Sequence, residues 1–220
     1  MNTSTLCIFV KSPLPGSVKT RLTPYLTAGE ASGLAAAFFT DTLALARSCE
    51  WARVVVACEG DPSPLEIAPG TEVWPQGMGD LGERMERAFS LALEGGDSAI
   101  VIGTDSPGLP RRILDAAHLR LLEHDAVVGP SDDGGFYLLG LRRCPSGLLH
   151  GLSWSTATTR ERLLERLRSS GIAVAEVEPW FDVDEPADLR RLAGLLREER
   201  VIAPRTARLL AELTNGRRST

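Results

Sequence analysis

The four cysteines (Cys7, Cys49, Cys58 and Cys144) form neither a C-x-x-C pair nor a zinc-type spacing. A reduced, cytoplasmic protein is expected on that ground, with Cys7 and Cys58 as packing residues inside apolar runs. No window approaches the ~18 uninterrupted apolar residues of a membrane span. The first apolar run is short and follows no basic segment, so neither a signal peptide nor a membrane partner is expected. Excess positive charge is missing too. The net charge of −5 argues against nucleic acid as a partner. The three histidines, His118, His124 and His150, stand apart from the loops that close the apolar runs. No Ser/His/Asp or Cys/His arrangement suggests itself, which disfavours nucleophilic hydrolase chemistry. There is no internal repeat and no low-complexity tract.

What is present suffices for one substantial domain. Of 220 residues, 43% are hydrophobic, enough for a buried core. Short β-rich apolar runs at 5–10, 53–58, 98–102, 125–129, 136–141 and 172–177 alternate with amphipathic helical stretches. The helices are expected near 27–48, 80–94, 110–122, 155–169 and 186–198. Thr27 with Glu30, and Asp80 with Glu83, read as capping boxes at two helix starts. The Pro- and Gly-rich stretch 60–79 reads as loop, with room for a short strand at 72–74. The pattern is that of a mainly parallel sheet covered by helices, a Rossmann-like α/β/α sandwich. One domain over 1–200 is expected, followed by a C-terminal helix and tail over 201–220, with 215–220 as a frayed polar end.

In such sheets ligands bind beyond the carboxyl ends of the strands, so chemistry should follow the apolar runs. The first run leads into Lys11-Ser-Pro-Leu-Pro-Gly16-Ser-Val-Lys19-Thr20-Arg21. Prolines fix the backbone, glycine admits a close approach, and the cations suit phosphate. The alternative is a solvated basic connector. This is not a Walker A loop, because Val18 and Pro13 stand where that motif needs glycine. Lys19 and Arg21 are expected to be surface cations that contribute little to stability.

The third run ends in Gly103-Thr104-Asp105-Ser106-Pro107. A carboxylate at the end of a buried strand can ligate Mg²⁺, which takes one or two carboxylates and completes its shell with phosphate and water. The plainer role is a helix cap, but Pro107 and Pro110 put the helix start later. A second acidic element, Asp182-Val-Asp184-Glu185-Pro186, precedes the helix near 186. Asp184 or Glu185 could cap that helix; if the stretch is extended, Asp182 and Asp184 point the same way and could share a metal. Asp133-Gly134-Gly135 is either an ordinary hairpin turn or a substrate loop. Gly79-Asp80 opens a helix whose N-terminus could receive an anion or ribose. Trp154-Ser155-Thr156 is open between cap and substrate contact.

Together FVKSPLPGSVKTRL (9–22), GDLGERM (79–85), GTDSPGLP (103–110), GPSDDGGFYLLG (129–140) and FDVDEPADL (181–189) resemble the nucleotide-diphospho-sugar transferase fold. More narrowly, the chain resembles the bacterial DUF2064 family, also called transferase 1 and associated with radical-SAM and selenoprotein loci. The resemblance implies a transferase acting on a nucleotide or nucleotide-sugar and a small-molecule acceptor, with Mg²⁺ (or Mn²⁺) as cofactor. It implies Lys19, Arg21 and Asp105 as catalytic residues, and Lys11, Gly16, Thr20, Gly79 and Asp80 beside Lys19 and Arg21 in nucleotide binding. Asp105 with Asp184 or Asp182 would hold the metal. Asp133, Gly134, Gly135, Trp154 and Ser155 would meet the acceptor or sugar. The single Asp105 followed by Ser106-Pro107 departs from the Asp-x-Asp of glycosyltransferases, and so favours nucleotidylyl transfer over glycosyl transfer. A homodimer is left open.

Overall fold

The computed structural model describes residues 4–23 and 25–218. Its seven strands are β1 (Ser4–Lys11), β2 (Ala52–Glu59), β3 (Glu72–Pro75), β4 (Ser98–Ile102), β5 (Ala126–Pro130), β6 (Phe136–Leu141) and β7 (Val174–Glu176). They form one sheet in the order β3-β2-β1-β4-β6-β5-β7. Only β6 runs against its neighbours, pairing antiparallel with both β4 and β5. The helices are α1 (Ala28–Arg47), α2 (Leu81–Glu94), α3 (Arg111–Glu123), α4 (Thr159–Ser169), α5 (Pro186–Arg197) and α6 (Pro204–Arg218).

Strand alternation builds the two faces. Leu6, Ile8, Ile100 and Ile102 join Phe39 of α1 and Ile113 and Leu114 of α3 in one buried layer. Cys7, Ala99 and Val101 join Met85 and Phe89 of α2 and Leu163 and Leu167 of α4 in the other. Continuous apolar strands are what a sheet covered on both faces requires. Both capping boxes expected from the sequence close, with Thr27 accepting from Glu30 N and Asp80 accepting from Glu83 N. A third closes at Glu185 and Asp188, ahead of Pro186 in the first turn of α5.

Two expectations shift and one holds. The helix placed at 155 begins at Thr159, because Ser155 adopts φ 56° and breaks any helical start. The 131–135 turn does join two antiparallel strands, so the hairpin geometry holds. The polar end expected from 215 is helical as far as Arg218, and 219–220 lie outside the described residues.

A third apolar cluster supports the loop after β1. Leu22, Leu34, Phe38, Phe181, Val183 and Leu192 pack together beneath it. Helix α6 closes this cluster and is fastened at its start by the buried Asp41, whose two carboxylate oxygens accept from Arg205 N (3.0 Å) and Thr206 N (2.9 Å). Those amides are among the donors a helix start leaves unpaired. Asp41→Ala is therefore expected to cost about 1–3 kcal/mol and to loosen α6 first. Urea unfolding with limited proteolysis between α5 and α6 checks this; unchanged stability would mean the carboxylate is dispensable.

Candidate functional site

Because β5 runs parallel to β4 across the intervening β6, the loops after β1, β4, β5 and β7 all emerge at one sheet edge. From β1 the chain leads through α1 toward β2 and from β4 through α3 toward β5, so the connections diverge along the sheet between these two strands, the kind of crevice where open α/β sheets bind ligands. Lys19 and Asp105 meet there. Lys19 adopts a left-handed backbone (φ 49°, ψ 36°), uncommon for a residue with a side chain. That turn drives its side chain inward until only 5% of it is exposed. The ammonium contacts Asp105, pairs with Asp184 at 3.0 Å and donates to Val183 O at 2.9 Å. Val183 N in turn donates to Asp105 O at 2.7 Å. Three segments distant in sequence are thus tied to one nitrogen. Burial works against the Lys19 charge, but the two carboxylates outweigh it and raise its pKa.

Asp105 also faces a cleft of about 310 Å³ at the sheet edge. Phe9, Val101, Leu81 and Met85 make its apolar floor, Phe136 and Trp154 an aromatic wall, and Ser155 and Thr156 a hydroxyl-bearing rim. Asp105, Asp133 and Asp182 supply the charge, and among the described residues no Lys, Arg or His lines it. Asp182 accepts from Ser106 Oγ, and Ser131 Oγ, whose one proton goes to Asp133, lies 3.2 Å from its other oxygen. Burial, reinforced by the neighbouring charges of Asp105, Asp184 and Asp133, pushes its pKa up to about 6 against the Ser106 bond. Asp133 Oδ1 is taken by Ser131 Oγ and Gly135 N, while Oδ2 accepts no hydrogen bond among the described residues.

The residues expected from sequence separate into two groups. Asp105, Asp133, Gly135, Trp154, Ser155 and Asp182 line the cleft. Gly134 stands just behind, where a Cβ would collide with Ala157 O, so it joins the two loops of one wall. Asp184 turns away to Lys19, so the carboxylate beside Asp105 in the cleft is Asp182. Lys19 differs most from expectation: it is buried, with its ammonium against Asp105, Asp184 and Val183 O. Lys11 pairs with Glu59 at 3.8 Å, away from the cleft. Gly16, Thr20 and Arg21 are exposed and outside the cleft lining, and Arg21 makes no ion pair among the described residues. Gly79 and Asp80 lie outside the lining, because the Asp80 carboxylate is spent on its own helix cap; Leu81 and Met85 of that helix reach in instead.

Sequence reasoning missed Ser106, Ser131, Phe9 and Phe136. The serines flank acidic residues already singled out, and the phenylalanines sit at strand ends, where period-2 alternation would have aimed them at the cleft.

A divalent ion such as Mg²⁺ or Mn²⁺ needs hard oxygen donors. Among the described residues no three of His, Cys, Asp and Glu stand close enough to hold one by themselves. Asp105 with the half-buried Asp182 fits an ion that brings water and phosphate oxygens with it, since among the described residues Asp182 lacks the neighbouring cation that Asp105 and Asp184 have.

Residues 42–156, just over half the chain, match the family described as an uncharacterized protein conserved in bacteria, DUF2064. A candidate nucleotide-diphospho-sugar transferase from Desulfovibrio desulfuricans G20 is 32% identical, with TM-score 0.85 over 96% of this chain and 95% of that one. CMP:2-keto-3-deoxy-manno-octonic acid synthetase complexed with CTP shares the fold at 15% identity (TM-score 0.56, 90% of this chain and 99% of that one). So does Rv0371c from Mycobacterium tuberculosis H37Rv complexed with manganese, at 18% identity (TM-score 0.55, 87% and 98%). No curated protein matches. None of the described helices is long and apolar enough to cross a membrane.

The electrostatics of the site can be tested at two residues. Lys19→Met leaves Asp105 and Asp184 facing each other without a counter-charge. We expect a loss of about 1.5–3 kcal/mol, moderated because both carboxylates are about half exposed. An unchanged melting temperature would return Lys19 to the status of a surface cation. For Asp182 the folded pKa of about 6 lies above the ordinary 3.8. In that window the folded chain holds the extra proton, so this group's contribution to stability falls as pH rises and is flat above it. Asp182→Asn keeps an acceptor for Ser106 and removes the charge; it should be about 1–2 kcal/mol more stable than the parent at neutral pH, with the decline from about pH 4 to about pH 6 abolished. Denaturant titrations across that range decide it, and a variant less stable at neutral pH would contradict the buried-charge account.

Proposed function

The chain belongs to the DUF2064 family, and from that membership and the acidic cleft at its sheet edge we propose a divalent-cation-dependent transferase acting on a nucleotide or nucleotide-sugar. The observation that carries this is Asp182, a half-buried carboxylate beside Asp105 in a cleft with no cation in its wall among the described residues. The likeness to a candidate nucleotide-diphospho-sugar transferase supports it, and relatives of the fold complexed with CTP and with manganese are consistent with it.

We take the reaction to be nucleotidylyl transfer. An oxygen of a small phosphorylated or hydroxyl acceptor bonds to the α-phosphorus of a nucleoside triphosphate as the bond to pyrophosphate breaks; a hydroxyl acceptor gives its proton to water. Asp105 and Asp182 hold Mg²⁺ or Mn²⁺, which when bound offsets the charge on donor and leaving group. Arg21, exposed on the turn after Lys19, reaches for phosphate oxygens. Lys19 keeps Asp105 and Asp184 in position. Asp133, Gly135, Trp154 and Ser155 meet the acceptor. Residues 1–200 serve as one nucleotide-diphospho-sugar transferase-like domain, with 201–220 as helix and tail. Positioning and electrostatics account for the chemistry without a protein nucleophile.

One feature favours a second reading. The rings of Trp154 and Phe136, 6.1 Å apart edge to face, with the rim hydroxyls, suit a sugar, which would make the reaction glycosyl transfer from a nucleotide-sugar.

Thermal shift with the four nucleoside triphosphates and common nucleotide-sugars, with and without Mg²⁺, tests both, followed by phosphorus NMR of the released product. Stabilisation by a triphosphate and release of pyrophosphate are expected. Arg21→Ala should weaken that binding by about 1.5–3 kcal/mol without moving the ligand-free melting temperature. Stabilisation by nucleotide-sugars alone would transfer the assignment to glycosyl transfer, and no response to any nucleotide would end the transferase reading.

A further inference from the structure

Resting on the transferase reading, the cleft restricts the second substrate as well. We infer that the acceptor is an uncharged polyhydroxyl compound, held against the Trp154 face with one of its hydroxyls on Asp133 Oδ2, and that phosphorylated acceptors are rejected. The reason is first one of charge. Asp105, Asp133 and Asp182 line the cleft and no cationic side chain does. One divalent ion offsets two of those charges, and the donor's phosphates then add their own. The nearest ammonium, Lys19, is buried against Asp105, Asp184 and Val183 O, with no donor to spare. A second phosphate would therefore enter a partly dry site with nothing to pair it, next to carboxylates of the same sign.

The remaining surface suits hydroxyls. Asp133 is fixed through Oδ1 by Ser131 Oγ and Gly135 N, which leaves Oδ2 as a positioned acceptor. Gly134 is packed on Ala157 O, so the Asp133 turn and the Trp154–Thr156 segment stand side by side in one wall of the cleft. An aromatic ring beside a fixed carboxylate binds a polyol by contact with its C–H surface and by accepting from its hydroxyls. An ammonium-bearing acceptor fits less well, because it would compete with the divalent ion for the same carboxylates.

Saturation-transfer NMR titrations of the full chain in Mg²⁺ measure this directly, with glycerol and methyl α-glucoside set against glycerol 3-phosphate, glucose 6-phosphate and glucosamine. The uncharged probes should bind at least about tenfold more tightly than their phosphates, as like-charge juxtaposition demands. Asp133→Asn and Trp154→Leu should each weaken methyl α-glucoside by about fivefold or more, consistent with loss of one charge-assisted bond or one ring face. Trp154→Phe, which preserves a ring, should lose less. Asp133→Lys should reverse the preference in favour of glucose 6-phosphate. Phosphates binding as well as the neutral probes, glucosamine binding more tightly, or no neutral probe binding would each overturn the inference. Nucleotide binding is read separately: a chain that responds to nucleotides but ignores the polyols refutes this inference alone, whereas one that binds polyols and no nucleotide refutes the transferase reading and the acceptor assignment with it.

Discussion

The site depends on one ammonium group. Lys19 Nζ is the point at which the loop after β1, the loop after β4 and the segment before α5 become one object. Left alone, the two carboxylates at that point would repel, and the segments bearing them would separate or one would take up a proton. The lysine removes that problem at the cost of its own hydration, which the two opposing charges more than offset. A left-handed backbone at a bulky residue is a small local strain, and the closed contact around it is what makes the strain tolerable. Phe38, 5.5 Å below the ammonium, and the apolar cluster with Val183 and Leu192 supply the floor on which this arrangement rests.

Two residues apart, Asp182 and Asp184 meet opposite fates for the same reason. Asp184 reaches the lysine and remains partly solvated. Asp182 faces the cleft, where the Ser106 hydroxyl donates to it, Ser131 Oγ lies 3.2 Å away and, among the described residues, no positive charge pairs with it. Hydroxyl donors stabilise a carboxylate less than a cation would, and they do not cancel burial and three like charges. A protein optimised for stability alone would have no use for that arrangement. A charge left uncompensated in a cleft is more naturally read as capacity for a ligand of opposite sign.

Much of this was legible in the sequence, and the part that was not has a common physical cause. Strands β4 and β6 were read at their observed limits and the Thr27 and Asp80 caps were read correctly, because alternation and capping are local. The gathering of Asp105, Asp133, Trp154 and Asp182 at one edge was legible too, since every one follows a strand or flanks a helix start and α/β topology collects such positions. Lys19 was not. Its burial depends on carboxylates met only when the sheet has formed, the farther one 165 residues along the chain. A loop lysine has no local signal that distinguishes it from a solvated one. Asp80 failed in the opposite sense: a helix start advertises both anion binding and capping, and here the cap consumed the side chain.

The same charge balance links the two proposed partners of the cleft. With three carboxylates facing a cavity of about 310 Å³ and the one nearby lysine engaged elsewhere, neither a bare phosphate nor a lone weakly held cation is well accommodated. Phosphate alone meets like charge. A divalent ion alone finds too few protein donors to replace its water. Brought together, each supplies what the other lacks: the ion screens Asp105 and Asp182 from the phosphates, and the phosphates complete the ion's coordination. By linkage the nucleotide must then raise the affinity for the cation by the same factor as the cation raises that for the nucleotide. On the proposed reading the site receives the pair together, and the surface around Trp154 and Asp133 is what it leaves for the acceptor.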